Sequence, residues 1–326
     1  MREDVEGRGE GNGFDRYRFQ HLALPEIDFA DIELAGKFLG RPVKAPFLVS
    51  SMTGGPDEAG RINARLAEAA QRRGWAMGLG SLRAAIESPG TAGTFRVRRL
   101  APDIPLLANL GAVQLNCGFG PDECRRAMEL AEADALVLHL NGMQELFQDG
   151  GNTNFGGLLK RISELCRAAT FPVGAKEVGF GIDGVAAKAL ADAGVSFIDA
   201  AGAGGTSWIK VERFRTRDPM RKSAASAFED WGIPTAECVA DVRAAVPAMP
   251  LIASGGLKTG TEAAKAIAIG ADLAAFGRRL LVSATQSAES LEALFARLEF
   301  EMKAAMFGIG AANLQELRST ARLKKR

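Results

Sequence analysis

The chain has 326 residues, of which 47% are hydrophobic, so it is long enough to bury the core of one large domain. Its 40 basic and 39 acidic side chains leave a formal charge of +1, which excludes the strong field that recruits nucleic acid or an anionic membrane. Four cysteines without a CxxC pair, a charged first segment and no long apolar span predict a soluble cytoplasmic protein without structural zinc or disulfides.

Residues 1–41 show no alternation of strand and helix and are predicted to form an N-terminal arm, followed by one domain over 42–326. In that domain, short apolar runs alternate with stretches of helical periodicity. The predicted strands are 45–51, 75–79, 105–108, 135–140, 173–178, 196–200, 250–254 and 272–276. The predicted helices are 58–73, 84–101, 158–169, 261–270 and 289–307, with three more beginning near residues 121, 184 and 234.

Eight such repeats predict an α/β protein with a single (β/α)8 TIM barrel, whose reactive groups lie at the carboxyl ends of the strands. A doubly wound open sheet is the alternative. The alternation of strands and helices is interrupted at residues 202–232, a long polar loop after the sixth predicted strand. A loop of that length is typical of a lid or an ordered insertion over an active site.

Glycine turns follow the last two predicted strands, at Gly255-Gly256 and at Gly277-Arg278. In β/α barrels these two turns often bind phosphate, because backbone N–H groups, a helix N-terminus and a basic side chain converge there. One glycine turn alone more often only reverses the chain. Two in succession, the second with Arg278, predict a phosphate site.

The other strand ends carry many polar side chains. Neutral hydrogen-bonding groups beside a phosphate site suit a flat heterocycle, and FMN is the natural candidate. Lys176 points inward, where it could stabilise the anion of reduced flavin; a salt bridge to Glu177 or Asp199 is an equally good interpretation. The polar strand ends are Ser50, Ser51, Thr53, Ser81, Asn109, His139, Asn141, Lys176, Glu177, Thr206 and Ser207.

His139, Asn141, Gln144 and Glu145 follow one another at the exit of the fourth predicted strand. His139 could be a general base or could simply satisfy a strand end. Oxygen-rich groups around one carboxylate suit a Mg²⁺ ion that keeps its waters and touches a substrate phosphate, provided that the substrate is a diphosphate.

Five blocks in order resemble the type II isopentenyl-diphosphate isomerase family, and the resemblance covers the chain from Gly13 onward. It implies an FMN-dependent barrel that interconverts isopentenyl and dimethylallyl diphosphate in isoprenoid biosynthesis. It also implies Mg²⁺, reduction of the flavin by NADPH, and a homo-oligomer, either a tetramer or an octamer. The blocks are APFLVSSMTGG (45–55), HLNGMQE (139–145), KEVGFG (176–181), IDAAGAGGTSW (198–208) and IASGG (252–256).

The resemblance also assigns roles to residues. Glu145 would bind Mg²⁺, and substrate would face His139, Asn141 and Gln144. The catalytic residues would be Gln144, His139 and Lys176, with the identity of acid and base left open; Gln144 would orient the alkene or relay a proton. FMN would be held by Ser50, Ser51, Met52, Thr53, Ser81, Asn109, Lys176, Thr206, Ser207, Gly255, Gly256, Gly277 and Arg278.

Three departures from the family pattern keep alternatives open. The family usually carries an Arg-Lys-x-x-His arm for the diphosphate, but residues 1–26 resemble the region downstream of it. Leu82 replaces a glutamine, and HLNGMQE replaces HLNPLQE, followed at 148–152 by QDGGN instead of an acidic run. One alternative is an FMN-dependent oxidoreductase of the hydroxy-acid oxidase type, although 198–208 lacks a cysteine and 254–256 has no nearby histidine. Another is a flavin-binding protein that has lost turnover with the arm.

Overall fold

The computed structural model describes residues 5–7, 9–52 and 57–326. Strands occur even in the N-terminal stretch for which the sequence predicts no regular elements. These three strands are β1 (Tyr17–Phe19), β2 (Gly36–Phe38) and β3 (Arg41–Val43).

The N-terminal strands attach the beginning of the chain to the rest of the fold. β1 pairs antiparallel with the last strand, which spans Leu323–Lys325. β2 and β3 form an antiparallel hairpin. The division of the chain at residue 41 stays a prediction.

The predicted (β/α)8 barrel is confirmed, because eight strands close on themselves. Closure is direct: Phe47 in the first barrel strand pairs in parallel with Ala274 in the last, which an open sheet could not do. Each predicted strand overlaps an observed one. The barrel strands are β4 (Phe47–Val49), β5 (Ala76–Gly78), β6 (Leu106–Gly111), β7 (Ala135–Leu140), β8 (Val173–Glu177), β9 (Phe197–Asp199), β10 (Leu251–Ala253) and β11 (Leu273–Phe276), and the terminal strand is β12 (Leu323–Lys325).

Helices follow the strands along the chain. The α-helices are α1 (Asp57–Arg73), α2 (Arg83–Glu87), α3 (Pro121–Ala131), α4 (Gly142–Phe147), α5 (Leu158–Ala168), α6 (Gly184–Asp192), α7 (Trp208–Arg215), α8 (Pro219–Ala224), α9 (Thr235–Ala245), α10 (Gly260–Ile269), α11 (Arg278–Gln286), α12 (Ala288–Phe307) and α13 (Leu314–Arg318). The 3-10 helices are Phe14–Arg16, Phe29–Asp31, Pro89–Phe95, Arg98–Leu100, Ala112–Asn116 and Ala225–Phe228.

The single helix predicted over 84–101 is wrong. The α-helix α2 ends at Glu87, and two 3-10 helices follow it. Pro89 disfavours helical backbone at the residue before it, and Gly90 and Gly93 are poor helix formers. The apolar periodicity of this stretch therefore reflects burial of short separate turns.

The N-terminal end of the barrel is closed by the β2–β3 hairpin. Phe38 of the hairpin is 2% exposed and belongs to the cluster of apolar side chains inside the barrel. Its ring lies edge-on to Phe197 of β9, with 5.5 Å between the centroids. A larger apolar cluster fills the layer between strands and helices. The hairpin leaves the carboxyl ends of the strands as the face for a ligand.

The polar stretch 202–232 is an ordered insertion that contains α7, α8 and a 3-10 helix. It packs against the carboxyl face of the barrel through an apolar cluster that joins Ile209 and Ala225 to Phe147 and Phe180. In the part of the chain that the structure describes, no helix is both long enough and apolar enough to cross a membrane.

Candidate active site

Polar side chains from adjacent strands meet at the carboxyl end of the barrel. The parallel register places His139 of β7 beside Lys176 of β8, and Lys176 beside Asp199 of β9. Ser254, directly after β10, continues the row through its hydrogen bonds. Three of these four residues are less than 9% exposed, so the row is a buried polar band.

Lys176 forms an ion pair with Asp199, one of the two partners that the sequence allowed. The Nζ atom lies 2.8 Å from Asp199 Oδ2 and donates to Ser254 Oγ over 3.0 Å. The other candidate, Glu177, faces elsewhere: its Oε2 accepts from the backbone N–H groups of residues 178–181. Burial raises the pKa of Glu177 to about 7, against these four donors, which lower it.

His139 is held in one tautomer by Asn109. Its Nδ1 lies 2.7 Å from Asn109 Oδ1, and because an amide oxygen only accepts, Nδ1 carries the hydrogen and Nε2 is the acceptor. Burial, and secondarily the charge of Lys176, lowers the pKa of His139 to about 4. His139 is therefore neutral at pH 7, and its Nε2 is an unprotonated nitrogen that can accept a hydrogen bond.

Asn141, which directly precedes the short helix α4, is linked to Gln144 and Glu145 on that helix. Asn141 Nδ2 donates to Glu145 Oε1 over 2.9 Å and lies 3.4 Å from Gln144 Oε1. Glu145 Oε2 accepts from the backbone N–H of Asn152 over 2.6 Å. Asn141 Oδ1 is buried without a hydrogen-bond partner among the described residues. An orphaned acceptor beside a carboxylate is suited to a cation or to a donor on a ligand.

Glu212 is a site residue that the sequence reasoning missed. Gln144 Nε2 donates to Glu212 Oε1 over 3.3 Å, and Arg215 donates to the same oxygen over 3.3 Å. Glu212 is 2% exposed although it lies in the polar stretch 202–232. The sequence did contain a sign of the helix that carries Glu212, because serine is a favoured N-cap residue and Ser207 caps that helix.

The predicted glycine turn after β10 adopts backbone conformations that favour glycine. Gly255 and Gly256 have φ angles of 109° and 76°. A Cβ atom on Gly256 would lie 2.1 Å from the carbonyl oxygen of Gly204, and one on Gly205 would lie 2.7 Å from the Gly256 nitrogen. Asn12 Nδ2 donates to the Gly256 carbonyl over 2.9 Å. The turn therefore stacks on a second glycine loop without room for a side chain.

A carboxylate lies against the predicted phosphate site. Glu6 pairs with Thr206 in an antiparallel bridge, and its side chain lies 3.1 Å from Lys258 Nζ and 3.9 Å from an Arg278 nitrogen. Arg278 is the first residue of the nine-residue helix α11. Both basic side chains at this turn therefore lie near a carboxylate of the chain itself, and Lys258 is a second basic residue there that the sequence reasoning did not single out.

The ends of β4, β5 and β11 also approach one another. Ser50 donates its backbone N–H to Phe276 in β11. Met52 Sδ lies 3.5 Å from the position of a Cβ on Gly277. A Cβ on Gly78 would lie 2.5 Å from Ser51 Oγ. These predicted flavin residues therefore share one edge of the barrel mouth.

For three other predicted flavin residues, the structure does not show a free polar side chain at this edge of the barrel mouth. Ser81 is exposed, and its Oγ lies 3.5 Å from the backbone nitrogen of Arg83. Ser207 caps α7 by accepting from the Lys210 N–H over 3.4 Å, so its hydroxyl already has a structural role. Thr53 lies outside the described residues.

Comparison with known proteins relates this site to one family. Residues 142–324 match the family model of FMN-dependent dehydrogenases. An isopentenyl-diphosphate delta-isomerase of Oceanobacillus iheyensis is 54% identical over 98% of this chain and 92% of its own length. The chain belongs to the isopentenyl-diphosphate delta-isomerase family. Further family members include one from a Nostoc species, 51% identical over all of this chain and 93% of its own, and one from Xanthobacter autotrophicus, 53% identical over 94% and 89%.

Solved structures confirm the fold of this isopentenyl-diphosphate delta-isomerase family member. A mandelate oxidase is similar with a TM-score of 0.69 at 18% identity, covering 99% of this chain and 92% of that chain. A mandelate oxidase variant with a monooxide FMN adduct gives a TM-score of 0.67 at 17% identity, covering 99% and 94%. At such low identity the likeness concerns the barrel alone.

Proposed function

We propose that this protein interconverts isopentenyl diphosphate and dimethylallyl diphosphate in isoprenoid biosynthesis. The proposal is carried by the 54% identity to the Oceanobacillus iheyensis isomerase over 98% of this chain. The residues at the carboxyl end of the barrel add a physical account of how the chain would perform this reaction.

FMN is the proposed cofactor, with its phosphate at the two glycine turns. Two features of the chain fit it: the missing space for a side chain at Gly256, and the N-terminus of α11 with the basic side chains of Lys258 and Arg278 beside it. When bound and reduced, FMN supplies a proton donor and acceptor and a ring that stabilises a developing cation. The further proposed contacts are Ser50, Ser51, Met52, Thr53, Ser81, Asn109, Lys176, Thr206, Ser207, Gly255 and Gly277.

Gln144 and His139 would act on the substrate. Moving a double bond by one carbon requires a proton to arrive at one carbon and another to leave the adjacent carbon. A carboxamide is not an acid of useful strength, so Gln144, fixed by Glu212, would orient the alkene. Neutral His139 would accept a hydrogen bond through Nε2, which Asn109 leaves as the acceptor.

Mg²⁺ is proposed to bind at Glu145 together with the substrate diphosphate. The buried, unpartnered oxygen of Asn141 lies beside this carboxylate and fits a ligand that brings positive charge or a donor. Within the described residues no group of three or more His, Cys, Asp or Glu side chains could hold a metal alone. The ion would therefore keep most of its waters, as Mg²⁺ does when it bridges a carboxylate and phosphates.

Three further properties stay predictions. From the resemblance, NADPH would reduce the flavin and the protein would be a homo-oligomer, a tetramer or an octamer. From the cysteine pattern and the charged first segment, the location would be cytoplasmic.

The function is tested with purified protein loaded with FMN under strict anaerobiosis. After addition of Mg²⁺ and NADPH or dithionite, isopentenyl diphosphate should be converted to dimethylallyl diphosphate. NMR measures the loss of one isomer and the matching gain of the other. Omission of reductant, and chelation of Mg²⁺, are the controls. Protein that binds FMN but forms no product would refute the isomerase. Steady flavin reduction by 2-hydroxy acids would instead support an oxidoreductase.

A further inference from the structure

A closed hydrogen-bonded triangle surrounds the ammonium group of Lys176. Lys176 Nζ lies 2.8 Å from Asp199 Oδ2 and donates to Ser254 Oγ over 3.0 Å, while Ser254 Oγ donates to Asp199 Oδ1 over 2.5 Å. The lysine and aspartate side chains are 10% and 4% exposed. The serine hydroxyl uses its hydrogen toward the carboxylate and its lone pair toward the ammonium, so all three orientations are fixed.

The barrel itself sets this geometry. Lys176 and Asp199 are register partners on β8 and β9, and Asp199 is the register partner of Ile252 on β10. Ser254 is two residues beyond Ile252 and therefore points to the same side of the strand. The triangle is built on three neighbouring strands of a rigid barrel, and it is not a contact between flexible surface side chains.

The charges around the triangle leave Asp199 as the counter-ion of Lys176. His139, the register partner of Lys176 on β7, is neutral because burial lowers its pKa to about 4. Glu177, the next residue on β8, binds the amides of residues 178–181 on the other side of the strand.

We propose that Asp199, held by Ser254, is a positioning residue that compensates the charge of Lys176 and thereby lowers the reduction potential of the bound flavin. This inference rests on the proposed function, because it requires the flavin ring to lie across Lys176. A lone cation beside a flavin stabilises the negative charge of the reduced ring. A carboxylate 2.8 Å from that cation weakens the effect, because the pair acts on the ring as a dipole.

The consequence is a flavin suited to exchanging protons. With Lys176 compensated by Asp199, the reduced ring holds its protons more firmly than beside an uncompensated lysine. The ring is also a weaker acceptor of hydride. Both properties fit an isomerase without net redox change better than an oxidase of the same fold.

The test is the midpoint potential of FMN in Asp199→Asn, measured by dye-equilibration titration of the holoprotein. We expect reduced FMN to gain affinity over oxidised FMN by about tenfold or more, which is a rise of about 30 mV for a two-electron couple. Ser254→Ala, which keeps both charges, should change this ratio much less. Equal loss of affinity for both redox states of FMN in Asp199→Asn, with an unchanged potential, would show a purely structural role and overturn the inference. So would an equal shift in Ser254→Ala.

Three further proteins complete the experiment: a matched control, a double variant and Lys176→Met alone. Asp272→Asn is a matched control, because Asp272 pairs with Arg243 and Arg318 just before β11 begins, away from the carboxyl end of the barrel, and its loss should leave the potential unchanged. If Asp199→Asn does not fold, Lys176→Met with Asp199→Leu replaces the buried pair by apolar groups, an exchange that is often tolerated. Its potential should stay near that of wild type. A potential as low as that of Lys176→Met alone would overturn the inference.

The result separates two failures. Wild-type protein that binds no FMN would remove the proposed cofactor and function. If the wild-type protein binds FMN and isomerises, but Asp199→Asn leaves the reduction potential of FMN unchanged, only the role assigned to Asp199 is refuted.

Discussion

Gln144 depends for its orientation on Glu212, which lies 68 positions further along the chain. The motif HLNGMQE was enough to single out Gln144, because its polar residues follow directly after a strand. Its partner could not be found in the same way, since the contact exists only after the insertion at 202–232 has folded over the barrel. The sequence likewise left open whether Lys176 pairs with Glu177 or Asp199, and only the register of β8 and β9 decides it.

Glu212→Gln should lower kcat and kcat/KM together, by about tenfold to 10²-fold, because a displaced orienting group costs rate in the transition state. The affinity for FMN should not change, since Glu212 contacts Gln144 and Arg215. Steady-state kinetics with isopentenyl diphosphate measure the effect. Glu164→Gln, at the exposed ion pair with Arg161 on α5, is the control and should behave as wild type. A wild-type kcat in Glu212→Gln would contradict the role of Glu212.

Among the secondary elements, the barrel strands were predictable because each is a short apolar run that ends in glycine or polar residues. The helix predicted over 84–101 was wrong, because apolar periodicity concealed breaks at Pro89 and Gly90. The insertion at 202–232 was predicted, but its helices were not, because a high charge content concealed them; α7 buries Ile209 and Glu212, and α8 buries no residue. The two consecutive glycines after β10 were enough to predict a turn there. Its close packing on Gly204 and Gly205 could not be predicted, because it joins two loops that lie far apart in sequence.

The stacked glycine loops make Gly256→Ala a sharp test. Its φ of 76° costs about 1–2 kcal/mol for an alanine, and the new Cβ would also meet the Gly204 oxygen at 2.1 Å. We expect lower stability in urea and FMN binding that is weaker by about tenfold or more, equal to at least about 1.4 kcal/mol.

Gly40→Ala is the matched control for that change. Gly40 has a φ of 80°, but no atom lies within 4 Å of its Cβ position. It shares the backbone strain and lacks the close approach, so it should lose stability without losing FMN affinity. Equal FMN affinity in the two variants, measured by quenching of flavin fluorescence, would show that the stacked loops do not shape the phosphate site.

At the scale of the whole molecule, two partly buried groups couple stability to pH in opposite directions. His139 has its pKa lowered from 6.5 to about 4, so the unfolded chain binds more protons between these values and stability rises with pH. Glu177 has its pKa raised from 4.5 to about 7, so the native protein binds more protons and stability falls as pH rises. Each shift corresponds to about 3 kcal/mol, and over pH 4.5–6.5 the two contributions oppose each other.

Single substitutions should therefore expose a pH dependence that the wild-type protein conceals. The difference in free energy of unfolding between a variant and wild type isolates the contribution of the side chain that was replaced. In His139→Gln the contribution of His139, which rises with pH, is lost, so this difference should fall between pH 4.5 and 6.5. In Glu177→Gln the contribution of Glu177, which falls as pH rises, is lost, so the difference should rise over pH 4.5–7. Urea unfolding at four pH values measures both differences, and comparison with wild type removes groups common to all three proteins. If Glu177→Gln gave a flat difference, the four amide donors would outweigh burial and keep Glu177 ionised throughout.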